Sequence, residues 1–197
     1  WDEKRFAVEC SPADCVLTAI HMLMPVAPDL ILSGVNRGNN SAENTLYSGT
    51  IGAAMEAALQ GHKAIALSQY YGKANLGLDD PFEAAATHGA KVVEGIMKAG
   101  FDDGAPYPVF YNVNFPPVPA AAVKGIKAAA QGVRPGVHFS AQPTTSPSGR
   151  KFVWLKGGDQ RVATAEGTDA ALNLEGWISV TPMRADLTDH SRLAALQ

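Results

Sequence analysis

The strongest constraint on the fold is the alternation of short apolar runs with Ala-rich helical stretches. Leu30-Ile31-Leu32-Ser33-Gly34 is a continuous apolar run ending in small residues, as expected of a strand buried in a parallel sheet. Thr50 to Gln60 is rich in Ala and stops at Gly61, and Ala64-Ile65-Ala66-Leu67-Ser68 is a second apolar run. This strand-helix-strand order suits parallel strands, which need a crossover between them. The pattern then continues. Asp80-Pro81 opens a predicted helix that carries Phe82, Ala85, Val92, Val93, Ile96 and Met97 and closes near Gly100. Tyr107 to Phe115 is β-rich and ends at Pro116-Pro117. Upstream, Ser11 as N-cap, Pro12 at the first helical position and Asp14 two residues on predict a capped helix continuing through Val16, Leu17, Ile20, Met22 and Leu23. Strands alternating with helices imply a doubly wound α/β sheet.

The chain changes character after about Gly132. Val137 to Ser140 and Lys151 to Leu155 flank a turn-rich centre containing Ser146-Pro147-Ser148-Gly149, which reads as a long hairpin. We expect one domain over residues 1–197 with this arm as an excursion over about 133–166. Phe139, Phe152 and Trp154 give the arm apolar surface to lay on the parent domain or on a second subunit. Gly167-Thr168-Asp169-Ala170-Ala171 reads as a helix start, Trp177 to Pro182 as a strand, and His190 to Gln197 as a short terminal helix.

Composition narrows the function classes. Hydrophobic residues make up 46% and charged residues 18%, which suits neither disorder nor a coiled coil. A net charge of −3 and a pI near 5.9 argue against holding a nucleic acid polymer or a membrane by bulk charge, so an anion must be met locally. No apolar run reaches the roughly 18 residues of a membrane span. Cys10 and Cys15 have no partner cysteines elsewhere and are expected to be buried structural thiols in a reducing cytoplasm. The chain opens on Trp1-Asp2-Glu3-Lys4-Arg5 without Met, so the natural protein is expected to begin upstream.

The chemistry concentrates between the first strand and its helix. Val35 to Gly49 is a connection of about 15 residues, long for a βα loop. It carries Asn36, Asn39, Asn40 and Asn44, the hydroxyls of Ser41, Thr45 and Ser48, and Arg37, at the strand edge where open α/β sheets bind ligands. Ser48-Gly49-Thr50 falls at the next helix's N-terminus, where unpaired N–H groups and the dipole favour a phosphate. Asn36 offers a neutral hard oxygen suited to Mg²⁺, Mn²⁺ or Ca²⁺, but one neutral ligand cannot hold a divalent ion. The alternative is that these Asn and Gly residues only satisfy turns. Asp79-Asp80 and Asp102-Asp103 read as helix caps or solvated pairs, and the five histidines lack metal-ligand spacing. No G-x-S-x-G elbow or Walker A sequence occurs, and no catalytic residue is identifiable.

Ser33-Gly34-Val35-Asn36-Arg37-Gly38-Asn39-Asn40 followed by Tyr47-Ser48-Gly49-Thr50-Ile51-Gly52-Ala53-Ala54-Met55-Glu56 closely resembles the signature of the SurE (survival protein E) family of 5′/3′-nucleotidases. Ser11-Pro12-Ala13-Asp14-Cys15-Val16, Asn112-Val113-Asn114-Phe115-Pro116, Thr168-Asp169 and Ile178 to Pro182 extend the resemblance along the chain. Ala42 stands where the family usually has Gly, Asn44 where Asp is common, and Cys10 where Gly is usual. The resemblance implies a Rossmann-like three-layer sandwich with a mostly parallel sheet, whose projecting arm and C-terminal region build homodimers or homotetramers. It also implies hydrolysis of nucleoside 5′- and 3′-monophosphates, dependent on one Mg²⁺ or Mn²⁺ per subunit. Asn36 would then be a metal ligand, and Ser48, Gly49 and Thr50 would line the phosphate. The family's metal-binding Asp-Asp pair and Ser ligand lie in a front segment that this sequence does not include, and Asp79-Asp80 does not match that motif. An upstream segment is therefore expected, because uncovered strand edges are costly. The alternatives are a non-catalytic oligomeric nucleotide-binding scaffold and an inactive truncated fragment.

Overall fold

The computed structural model describes residues 4–101, 104–136 and 139–196. Its main sheet has the order β1 (Ile31–Arg37), β2 (Ala64–Gln69), β3 (Phe110–Phe115), β7 (Ile178–Met183) and β4 (Ile126–Ala128). The first three strands are parallel, β7 runs antiparallel to β3, and β4 is parallel to β7. Side chains alternate across β2 and β3, and helices cover both faces. On one face Ala64, Ala66 and Phe110 pack with Ile51, Ala54, Ala57 and Ala58 of α2 (Gly49–Leu59), which α1 (Pro12–Thr18) backs. On the other, Ile65, Leu67, Val113 and Phe115 pack with Ala84, Ala85, Val92 and Ile96 of α3 (Glu83–Ala99). Burial on both sides explains why β2 reads as an unbroken apolar run. The result is the expected α/β sandwich with a mostly parallel sheet.

Two helix starts carry the expected caps. Ser11 and Asp14 form a reciprocal capping box on α1, and Thr168 caps α4 (Asp169–Leu174). The arm is a two-stranded antiparallel hairpin, β5 (Ser140–Thr145) with β6 (Lys151–Lys156), turning through Ser146–Gly149. The part of the arm prediction that falls on Val137 and His138 lies outside the described residues.

Several expectations need correction. Among the described residues β1 pairs with β2 alone, so it is only half-buried, with Leu32 and Val35 exposed. α1 ends at Thr18 and Ala19–Leu23 form a π-helical turn that leaves Met22 at the surface. α3 begins at Glu83, leaving Phe82 outside it; the Asp80 side chain instead accepts the Phe82 N–H at 2.8 Å, closing a turn ahead of the helix. β3 begins at Phe110 rather than Tyr107, and the terminal helix is a short 3₁₀ turn, Leu193–Leu196. Cys10 is exposed and Cys15 half-buried, because α1 lies on the surface and buries none of its residues. The pair Asp102-Asp103 lies outside the described residues.

Candidate functional site

A glycine sets the geometry at the end of β1. Gly34 has φ +129°, and a Cβ there would lie 2.3 Å from the Leu67 carbonyl oxygen, so no side chain fits. The β1–β2 register shifts between Ser33 and Asn36, which places Asn36 opposite Ser68. The strand therefore carries on through Asn36 and Arg37, and the expected loop from Val35 shortens to Gly38–Ser48 with a 3₁₀ turn at Ala42–Tyr47. Asn36 Nδ2 donates to the Gly38 carbonyl at 3.0 Å, while its Oδ1 receives no hydrogen bond from the described residues. Arg37 extends over the Tyr71 ring, its guanidinium carbon 5.2 Å from the centroid.

Ser48 caps α2, with its Oγ accepting the Ile51 N–H at 3.1 Å. The Gly49 and Thr50 N–H groups find no acceptor among the described residues, as expected in the first turn of a helix. Gly49 is held closely: a Cβ there would sit 2.8 Å from Pro12 Cγ of α1. A cavity of about 340 Å³ opens beside this helix start, walled by Asn36 and Arg37 from the end of β1, Tyr47 and Ser48 from the loop, and Phe139 and Gln160 from the roots of the arm. Gly49 and Thr50 follow Ser48 in the helix but do not line the cavity themselves. Tyr47 and Phe139 pack with ring centroids 4.8 Å apart, and Asn44 Nδ2 donates to Gln160 Oε1 at 2.6 Å, so two contacts tie the arm to the loop.

Beneath the cavity lies a buried polar network that sequence reasoning missed. Asn40 is its hub: its N–H donates to Asn114 Oδ1 at 2.7 Å, its Nδ2 to Ser68 Oγ at 2.8 Å, and its carbonyl accepts from Asn112 Nδ2 at 2.8 Å. The Arg134 guanidinium, enclosed, donates to the Ser41 carbonyl, to Ser41 Oγ and to Glu43 Oε1. Asp169, fully buried, accepts the N–H groups of Ala42, Gly132 and Ala170 at 3.0, 2.9 and 2.7 Å. Burial pushes the Asp169 carboxyl above its ordinary value, against those three donors and the charge of Arg134. Burial works in the same direction on Glu43, but hydrogen bonds from its own backbone and from Arg134 win and hold it below the ordinary value. For Asn39 and Asn40 the structural reading prevails, since both amides serve the loop's own hydrogen bonds. The sequence signal available was Asn112-Val113-Asn114, two amides on one face of a strand, where Asn is disfavoured.

A divalent ion needs more than this set supplies. Asn36 Oδ1 is an unengaged hard oxygen, but among the described residues no group of three or more His, Cys, Asp or Glu side chains could hold a metal. Glu43 is committed to Arg134 and Asp169 to backbone amides, so the described residues do not by themselves fit a complete metal centre.

A mostly parallel α/β sandwich with a cavity at the C-terminal end of a strand, beside a helix start, has the arrangement in which open α/β sheets hold their ligands. The family described as survival protein SurE matches residues 1–137, and the chain belongs to the SurE family. It is 63% identical over 196 residues to 5′-nucleotidase SurE of Ruegeria pomeroyi, covering 99% of this chain and 75% of that protein. It is 60% identical over 195 residues to 5′-nucleotidase SurE of Cereibacter sphaeroides, covering 98% of this chain and 75% of that one. Its fold matches the crystal structure of the SurE protein from Aquifex aeolicus with a TM-score of 0.72 and 33% identity, over 94% of this chain and 71% of that one.

Proposed function

We propose that the chain is a 5′-nucleotidase, hydrolysing nucleoside 5′-monophosphates, and 3′-monophosphates with them, to nucleoside and phosphate. The observation that carries this reading is one cavity walled by a cation, Arg37, a capped helix start at Ser48, and an aromatic pair, Tyr47 and Phe139. The shared name of the relatives from Ruegeria pomeroyi and Cereibacter sphaeroides supports it. In this reading the phosphate lies by Ser48, with the dipole and free amides of the Gly49-Thr50 turn and the Arg37 guanidinium balancing its charge. The base lies toward Tyr47 and Phe139, where an aromatic wall is tolerant of base identity. Water adds at phosphorus, the ester P–O bond breaks, and the nucleoside leaves as an alcohol.

The family resemblance adds one Mg²⁺ or Mn²⁺ per subunit, and Asn36 is the residue we propose for it. The described residues do not complete that site, and no step above runs through it. The arm and the C-terminal segment are the proposed faces of a homodimer or homotetramer, supported by Val153, Trp154 and Leu155 on β6 and by Leu187 and Leu196, all exposed. A cytoplasmic location is likewise a proposal; among the described residues no helix is long and apolar enough to cross a membrane.

The test is phosphate release by the full-length protein from nucleoside monophosphates, with and without added Mn²⁺ or Mg²⁺. Turnover is the expected result, with Asn36→Ala collapsing the Mn²⁺- or Mg²⁺-dependent phosphate release while the unfolding transition stays in place. A second reading, a nucleotide-binding module without catalysis, draws on the absence of a carboxylate cluster among the described residues. Calorimetric binding of nucleotide with no phosphate release at any metal concentration would establish it in place of the first.

A further inference from the structure

Neither cysteine has a part in the proposed hydrolysis, yet the two sit together at the surface. Cys10 and Cys15 place their Sγ atoms 3.4 Å apart, within reach of a thiol hydrogen bond in either direction. We infer that Cys10 and Cys15 form a reversible dithiol–disulfide site, oxidised by a hydroperoxide. A disulfide requires the sulfurs to close to about 2.05 Å, a movement of little more than an ångström that side-chain rotation can supply. One partner is fixed and the other has freedom: Cys15 lies in the first turn of α1, its N–H bonded to the Ser11 carbonyl at 3.0 Å, while Cys10 precedes the cap and belongs to no helix or strand. The Ser11–Asp14 capping box holds the turn between them, so the thiols are presented to each other by a structure that forms for its own reasons. Cys10 is exposed, which admits the oxidant. This site is independent of the nucleotidase reading.

The chemistry balances with hydrogen peroxide as the oxidant. The thiolate of one cysteine attacks a peroxide oxygen, the O–O bond breaks, and a sulfenic acid and one water result. The second thiol attacks the sulfenic sulfur and expels a second water as the S–S bond forms. Two thiols lose two protons and two electrons, and the peroxide is reduced to two waters. Desolvation, then the hydrogen bond to Cys15 and the charges of Cys15 and Asp14, push the Cys10 thiol up to about 11. Cys10 is thus a thiol at neutral pH, and formation quickens as the pH rises.

The experiment treats the reduced full-length protein with hydrogen peroxide at neutral and mildly alkaline pH, alkylates remaining thiols, and maps the products by mass spectrometry. The expected product is a single-chain peptide containing Cys10 and Cys15 that has lost two hydrogens, forms faster at the higher pH, and is restored by dithiothreitol. Cys15→Ser should then leave Cys10 as a sulfenic acid that dimedone traps. Two alkylated cysteines after treatment, addition of two or three oxygens at Cys10, or a disulfide between chains would each overturn the inference.

Discussion

The loop beneath the cavity and the hairpin arm break the usual rule of burial in opposite directions. Residues 39–41, with Arg134 and Asp169, bury amides, a hydroxyl, a guanidinium and a carboxylate. The arm holds Val153, Trp154 and Leu155 in the open, 61 to 73% exposed. A buried polar group is stable only where its hydrogen bonds are met, and the loop meets most of them, Arg134 Nε excepted, with partners drawn from β2, β3, α4 and the segment around Arg134. An exposed apolar strand has no such internal remedy, and in the proposed assembly a second subunit covers it. The contrast sets a region knit together by the chain's own hydrogen bonds against one that the proposed assembly would cover.

The largest expected effect tests the first half of that contrast. Asp169→Ala removes the acceptor for the buried Ala42 and Gly132 amides and one of the two carboxylate charges near Arg134, Glu43 being the other. Each orphaned donor costs about 1–3 kcal/mol, so a loss on the order of 3 kcal/mol is expected. In urea the midpoint should fall with the slope unchanged. A loss under about 1 kcal/mol would mean that the network is ornament rather than support.

The second half predicts the reverse pattern. Trp154→Glu changes a side chain 61% exposed and should move the unfolding free energy by no more than about 0.5 kcal/mol. By light scattering, however, the variant should run as smaller species than the assembled wild type. A wild type already monomeric at high concentration, or a variant that assembles as before, would sink the proposal that the arm joins subunits.

How much of this was legible in the sequence follows the distance between partners. The Ser11–Asp14 capping box, the Ser48 helix start and the strand-helix-strand unit depend on neighbours a few residues apart, and each falls close to where the pattern puts it. Asn36 is found by its position after an apolar run, although the Gly34 bulge carries the strand past it. The network beneath is another matter. Asp169 reaches Ala42 across 127 residues, Arg134 reaches Ser41 across 93, and Asn114 reaches Asn40 across 74. No periodicity or spacing connects such pairs; only the strand order brings them together. Thr168-Asp169 reads locally as a helix cap, and it is one, which conceals the second task that Asp169 performs.

A smaller effect sharpens the loop side. Ala42 sits at φ +53°, in the left-handed region, where its Cβ crowds the following carbonyl. It also stands where the resembling family usually has Gly. Ala42→Gly relieves the backbone and keeps the N–H that Asp169 accepts, at the expense of more freedom in the unfolded chain. The expected net is a gain of about 1 kcal/mol, read as a rise in the thermal midpoint of a few degrees. No gain would show that packing around the fully buried Ala42 methyl offsets the strain.

The finest comparison sets two aspartates against each other. Asp169 has its pKa raised inside the network, whereas Asp186, in the exposed C-terminal segment, is lowered to about 2, by the hydrogen bond to His190 first and then by those from Thr188. The signs of their pH dependence are therefore opposite. For Asp169 the folded state holds its proton more tightly than the unfolded one, so stability from this group declines as pH rises from 3.8 through its folded pKa. For Asp186 the contribution is present above 3.8 and is lost as pH falls toward about 2. Because Asp186 and His190 are solvent-exposed, that loss should appear as local loosening of the C-terminal turn, with the sheet intact. Carboxyl NMR titration should give a midpoint above 3.8 for Asp169 and near 2 for Asp186, and His190→Ala should return Asp186 toward 3.8. A shared midpoint for the two would erase the electrostatic difference between the buried network and the exposed segment.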